Sequence, residues 1–191
     1  MPCVSDKALA ACERGDHPSC YLDFGDMAKA NEQGYFPYTP AVTLLRGLRT
    51  SIDMLLDEGL DNVSARHARL ATGVRAAVDA WGLRNCARRP ELYSDTVTAI
   101  MVDPSFNAND IIGAAYSHFG VSLGGGLGKV AGKVFRIGHL GWLNEAMVLQ
   151  ALGGAELAMR HCGVEFRAGA GVGAAIESFT ETREALPLAA E

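Results

Sequence analysis

The chain has 191 residues, 49% of them hydrophobic and 20% charged, a globular composition that argues against disorder. A net charge of -5 argues against non-specific nucleic-acid binding, and the short basic run Arg84, Arg88 and Arg89 is too local to reverse that. Apolar stretches such as 146–159 are interrupted by Gln150 and Glu156, and Val4, Ser5, Asp6 and Lys7 do not read as a secretory leader. The expectation is a soluble, cytoplasmic protein without a membrane or nucleic-acid partner. Five cysteines, at positions 3, 12, 20, 86 and 162, form no CxxC pair and fit reduced thiols. His161 and Cys162 are adjacent and converge poorly on one ion, so no metal site is expected.

In chain order, Ser5 caps a brief helix that Asp16 to Pro18 breaks. Phe24 to Gln33 reads as a second short helix closed by Gly34. Tyr35-Phe36-Pro37-Tyr38-Thr39-Pro40 is extended, because a residue before proline avoids helical geometry. Thr39-Pro40 then reads as a helix start, with Leu45, Leu48, Ile52, Leu55 and Leu56 at helical spacing and Gly59 as the stop. A second long helix opens near Asp61 on the stripe Val63, His67, Leu70, Val74, Val78 and Trp81, and Gly82 ends it.

From Gly82 the pattern changes. TVTAIMV, from Thr96 to Val102, is a β-branched strand, and a helix capped by Asn109 or Asp110 runs to Gly120. Val121-Ser122-Leu123 is expected as a short strand, a glycine-rich loop follows, and KVFRIG (Lys133 to Gly138) is another strand. Asn144 to Cys162 is the last solid helix, and the alanine- and glycine-rich tail carries one weak helix around 174–183. The sum is a small α/β layer with helices on one face of a mainly antiparallel sheet.

Two glycine clusters fail as phosphate loops. Gly124-Gly125-Gly126-Leu127-Gly128-Lys129 lacks the required glycine before Gly128 and places Val130 where a hydroxyl would bind magnesium. Gly169, Gly171 and Gly173 follow no strand. Both are read as flexible loops. His67 and His139 read as satisfied core or boundary residues, with no nucleophile elbow nearby.

Arg136 leaves two readings open. An arginine among Val134, Phe135 and Ile137 loses water and needs an anion. That anion is either one of the 22 acidic residues or a substrate carboxylate, which a guanidinium grips through two parallel bonds. Tyr35, Tyr38 and Thr39 bring three hydroxyls next to a helix start. They read either as a cap with two packing aromatics or as an anion site on the helix end.

The runs YFPYTPAVTLLRGLRTSIDMLLDEGLDNVSARHARLA and GVSLGGGLGKVAGKVFRIGHLGWLNE, with the opening VSDKAL, resemble the class V, fold-type I pyridoxal-phosphate aminotransferases, in particular the serine–glyoxylate/alanine–glyoxylate group. The resemblance covers residues 4–165 in order. It implies the C-terminal half of such an enzyme: residues 1–57 as the end of the large domain and the connecting helix, 58–165 as the small domain, and 166–191 as a tail. It also implies pyridoxal phosphate as cofactor, amino and 2-oxo acids as substrates, and a homodimer.

The KVxRIG arginine of the family binds the substrate carboxylate, which places that role on Arg136. The segment before the first long helix reaches the cofactor phosphate across the dimer, which places that role on Tyr35 and on either Tyr38 or Thr39. Trp142 stands where related sequences often carry an acidic residue. The family's Schiff-base lysine precedes VSDKAL, and Lys7, Lys29, Lys129 and Lys133 match nothing catalytic. No other side chain both holds the aldehyde and shuttles the α-proton. The expected function is therefore serine–glyoxylate-type transamination, carried here by a fragment inactive by itself. The alternative is a non-catalytic remnant or dimerisation module.

Overall fold

Ser5 and Asp23 begin the first two helices of the computed structural model, which describes residues 3–15 and 19–183. The chain divides into two units, Met1–Asp57 and Glu58–Glu191. In the first, Ser5 Oγ accepts the Ala8 N–H at 3.3 Å to open α1 (Asp6–Glu13). Asp23 Oδ1 accepts from Gly25 and Asp26 at 2.7 and 3.2 Å to open α2 (Phe24–Glu32). The expected break at Asp16 to Pro18 lies outside the described residues.

The long helix α3 (Val42–Glu58) starts later than Thr39-Pro40. The Val42 N–H bonds the Pro40 carbonyl at 2.9 Å, so the proline precedes the helix rather than filling its first position. The apolar spacing of α3 is as expected, yet none of its residues is buried. Arg49 and Asp53, one turn apart and 2.9 Å from each other, decorate its polar side.

The second unit is built on a four-stranded sheet, β1 (Arg84–Asn85), β2 (Val97–Met101), β3 (Gly124–Gly125) and β4 (Val134–Gly138). Its order is β1-β2-β4-β3 and every pairing is antiparallel. The strand expected at 121–123 forms at Gly124–Gly125 instead, because it is the pairing with Arg136 and Phe135 that makes those glycines a strand. Successive side chains alternate between faces. Thr98, Ile100, Phe135 and Ile137 share the closed face and are all buried. Val97, Ala99, Met101 and Arg136 share the other face and are only half-buried.

Helices α4 (Leu60–Ala80), α5 (Ala108–Phe119), α6 (Glu145–His161) and α7 (Ala170–Arg183) supply the rest of this core. Leu70, Val74 and Val78 come from α4, Ile111 and Ala115 from α5, Leu152 and Met159 from α6, and Ala175 and Phe179 from α7. Each large side chain fully removed from water contributes about 1.5–3 kcal/mol. Gly73 lets α4 and α7 approach closely, since a methyl group there would collide with the Phe179 ring.

The segment after Gly163 therefore carries more than a weak helix. Gly171 and Gly173, expected in a flexible loop, lie in the first turn of α7, and Gly169 directly precedes it. Glu156 fixes that start: its buried carboxylate accepts from the N–H groups of Gly169, Gly171 and Val172 at 2.7, 2.9 and 3.2 Å, and from Trp81 Nε1 at 3.0 Å. A negative charge set at a helix N-terminus is favourable, and four donors offset its loss of water.

Candidate functional site

The expected site residues fall into two groups, one in each unit. Arg136 sits in the middle of β4, opposite Ala99 of β2 on one side and Gly124 of β3 on the other. It projects on the half-open face of the sheet, away from the packed helices. Its Nε is shut off from water and has no hydrogen-bond partner among the described residues. The ion pairs formed among those residues join Arg49, Arg66, Arg69 and Arg75 to carboxylates, and none involves Arg136. A guanidinium in that state is poised for an anion supplied from outside the described residues.

The segment that follows β4 is fastened at several points. His139 is fully buried. Its Nδ1 lies 2.9 Å from the Asp95 carbonyl, which can only accept, so Nδ1 carries the hydrogen and Nε2 accepts from the Thr98 hydroxyl at 2.9 Å. Burial pushes this imidazole below the ordinary histidine value, against the opposing pull of its bond to Asp95. His67 Nδ1 likewise donates to the Val63 carbonyl at 2.7 Å, and its Nε2 accepts the Gly141 N–H at 3.1 Å. Both histidines are engaged at both ring nitrogens, as core or boundary residues.

Arg66 completes the clamp, and nothing in its local sequence marked it. Its Nε and Nη2 donate to the two oxygens of Glu58 at 2.6 and 2.8 Å. Its Nη1 donates to the Gly141 and Leu143 carbonyls at 2.8 and 3.3 Å. The bidentate pair holds the Glu58 carboxyl below its usual range and raises Arg66. The Trp142 ring centroid lies 5.7 Å from the Arg66 guanidinium carbon, a cation–π contact. The tryptophan found at this position is thus a lid on an arginine. The pairs that reveal this clamp are 74 to 77 residues apart in sequence, beyond any local pattern.

In the first unit, Tyr35 and Thr39 are exposed and neither hydroxyl is bonded among the described residues. Tyr38 differs. Its hydroxyl donates to the Cys20 carbonyl, and its ring packs on Tyr21 with centroids 5.0 Å apart. A further hydrogen bond with the Cys20 side chain is the main cause pushing the Tyr38 hydroxyl up to about 12. Tyr38 and Thr39 border a cavity of about 570 Å³ whose other walls include Tyr21, Phe24, Met27 and Leu44. Pyridoxal phosphate needs donors for its phosphate and an amine for its aldehyde. The free hydroxyls of Tyr35 and Thr39 suit the first need. The four lysines are all exposed on their own elements, and none is enclosed in a site that would shelter such a bond. Donors of the kind a phosphate takes are thus present, with Thr39 at the cavity wall. No group of three or more metal-ligating side chains occurs among the described residues, and no helix among them is long and apolar enough to cross a membrane.

No protein-family model matches the chain. Individual relatives do. It is 57% identical over 180 residues to serine–glyoxylate aminotransferase of Hyphomicrobium methylovorum, covering 93% of this chain and 44% of that protein. It is 50% identical over 181 residues to L-aspartate–glyoxylate aminotransferase of Paracoccus denitrificans, covering 95% and 46% respectively. The structure superposes on pyridoxamine–pyruvate aminotransferase of Mesorhizobium loti with a TM-score of 0.82 at 31% identity, over 93% of this chain and 46% of that one. The chain thus spans under half the length of the relatives it matches. Over the stretch it covers, the chain is similar in sequence to glyoxylate aminotransferases and in fold to class V aminotransferases, matching a C-terminal part of them.

Proposed function

We propose that this chain carries the substrate-carboxylate clamp and part of the cofactor-phosphate site of a pyridoxal-phosphate-dependent transaminase of the serine–glyoxylate type, acting as a homodimer. The observation that carries the reading is Arg136: half-buried, with Nε cut off from water and no acidic partner among the described residues. A structural ion pair would have provided that partner. Pyridoxal phosphate, when bound, supplies the electron sink through which an amino group changes carriers. Arg136 binds the carboxylate of the amino acid or of glyoxylate and so fixes where its α-carbon stands. Tyr35 and Thr39 would donate to the cofactor phosphate. Tyr38, whose hydroxyl is committed to Cys20, supports the segment by stacking on Tyr21. The Arg66 and His67 clamp holds the turn after β4 and thereby the strand that presents Arg136.

The test is a chimera joining this chain to the N-terminal part of the Hyphomicrobium enzyme that it does not cover. Arg136→Leu in it raises KM for glyoxylate about 10- to 100-fold, the cost of losing a charged hydrogen-bonded pair. Unchanged saturation kinetics would overturn the assignment.

A further inference from the structure

The glycine run before β4 has a role that phosphate binding does not explain. Gly124 has an ordinary strand backbone without a positive φ, so its conformation does not require glycine. What it lacks is room. A β-carbon built on Gly124 would stand 3.3 Å from Arg136 Cβ, 3.2 Å from its Nε and 3.5 Å from its Cζ. The arginine side chain therefore lies along the bare α-carbon of Gly124 from its root to its guanidinium. On the opposite side its neighbour is Ala99. Across three strands the row reads Gly124–Arg136–Ala99, and only the arginine extends beyond a methyl group. The Nε that rests on Gly124 is the atom with neither water nor a partner.

The two following glycines differ. A β-carbon on Gly125 would meet only Ile112 Cδ1, at an ordinary 3.7 Å, while one on Gly126 would collide with the Val130 carbonyl. We propose that Gly124 is a positioning residue for Arg136: its missing side chain is the seat on which the guanidinium lies, and that seat sets the affinity of Arg136 for a carboxylate. The proposal rests on the reading of Arg136 as the carboxylate clamp.

The experiment uses the full chain labelled with nitrogen-15 and follows the arginine Nε–H signals while glyoxylate is added. The Arg136 signal is identified by its loss in Arg136→Lys. In the parent chain glyoxylate shifts it saturably. In Gly124→Ala the signal is displaced before any ligand is added, and the dissociation constant rises at least fivefold. Gly125→Ala, with the same added methyl group one residue on, leaves the signal in place and binds within twofold of the parent. Equal melting temperatures for the two variants separate positioning from a loss of fold. If Gly124→Ala does not fold, Ala99→Val narrows the same trough from the opposite strand and carries the same expectation. Glyoxylate binding in the parent with an undisplaced signal and unchanged affinity in the trough variant overturns the seat and leaves the clamp standing. No saturable shift in the parent chain or in the chimera with the Hyphomicrobium N-terminal part overturns the clamp reading itself, and the seat's proposed role with it.

Discussion

Leu70 and Phe135 in the second unit have no exposed surface, whereas Leu48 and Leu56 in the first retain 46% and 61% of theirs. Both α3 and α4 carry an apolar stripe at the spacing of one helical face. In α4 the stripe is met by the sheet and by α7, and seven of its residues are buried. In α3 no residue is buried. Apolar spacing thus reports what a helix is able to bury, and a facing surface decides whether it does. The second unit has that surface within itself. The first shows a face shaped for burial without the burial.

The sharpest way to break this contrast is to cut into the second core. Phe135→Ala leaves a cavity at the centre of the sheet and is expected to cost about 3–5 kcal/mol in urea unfolding. A loss below about 1 kcal/mol would show that the second unit is less firmly packed than its burial implies. Glu156→Ala comes next, at about 2–3 kcal/mol, because it strands the N–H groups at the start of α7 and the Trp81 indole.

His139 gives a smaller effect that depends on pH. Its folded-state pKa lies below the unfolded value near 6.5. Below that value the unfolded chain takes up a proton that the folded chain refuses. Its stabilisation is therefore whole above pH 6.5 and is lost as pH falls from there towards the folded pKa. His139→Gln should flatten that slope in unfolding curves taken across the range, and an unaltered slope would remove His139 as its source. The smallest effect is expected in the first unit, where Leu48→Ala on the open face of α3 changes stability by less than about 0.5 kcal/mol. A loss comparable to that of Phe135→Ala would show that α3 is covered in solution.

Most of the second unit was legible because its signals are local. Val97 to Met101 and Val134 to Gly138 are apolar runs between breakers, and Gly59 and Gly82 stop helices at positive φ of 84° and 70°. What escaped depends on distant partners. Gly124-Gly125 is a strand only because β4 lies beside it, and β1 is two residues long. Glu156 read as an interruption of an apolar helix, and its acceptor role exists only once Trp81 and the Gly169 turn are brought to it. Thr39-Pro40 has the composition of a cap, yet both residues lie ahead of α3. At the candidate site, Arg136 stood out as a cation in an apolar strand. Its lack of a partner among the described residues, which bears on those two readings, became visible only in the structure.

The Glu156 contact also gives the molecule a built-in optical gauge. Of its two tryptophans, Trp81 is 4% exposed and bonded to the carboxylate that starts α7, while Trp142 is 69% exposed over Arg66. Iodide in solution should quench the emission of Trp142 and spare that of Trp81. The residual, blue-shifted fluorescence therefore follows the docking of α7, and the quenched fraction follows the turn behind Arg136, so one cuvette reads the two ends of the second unit separately.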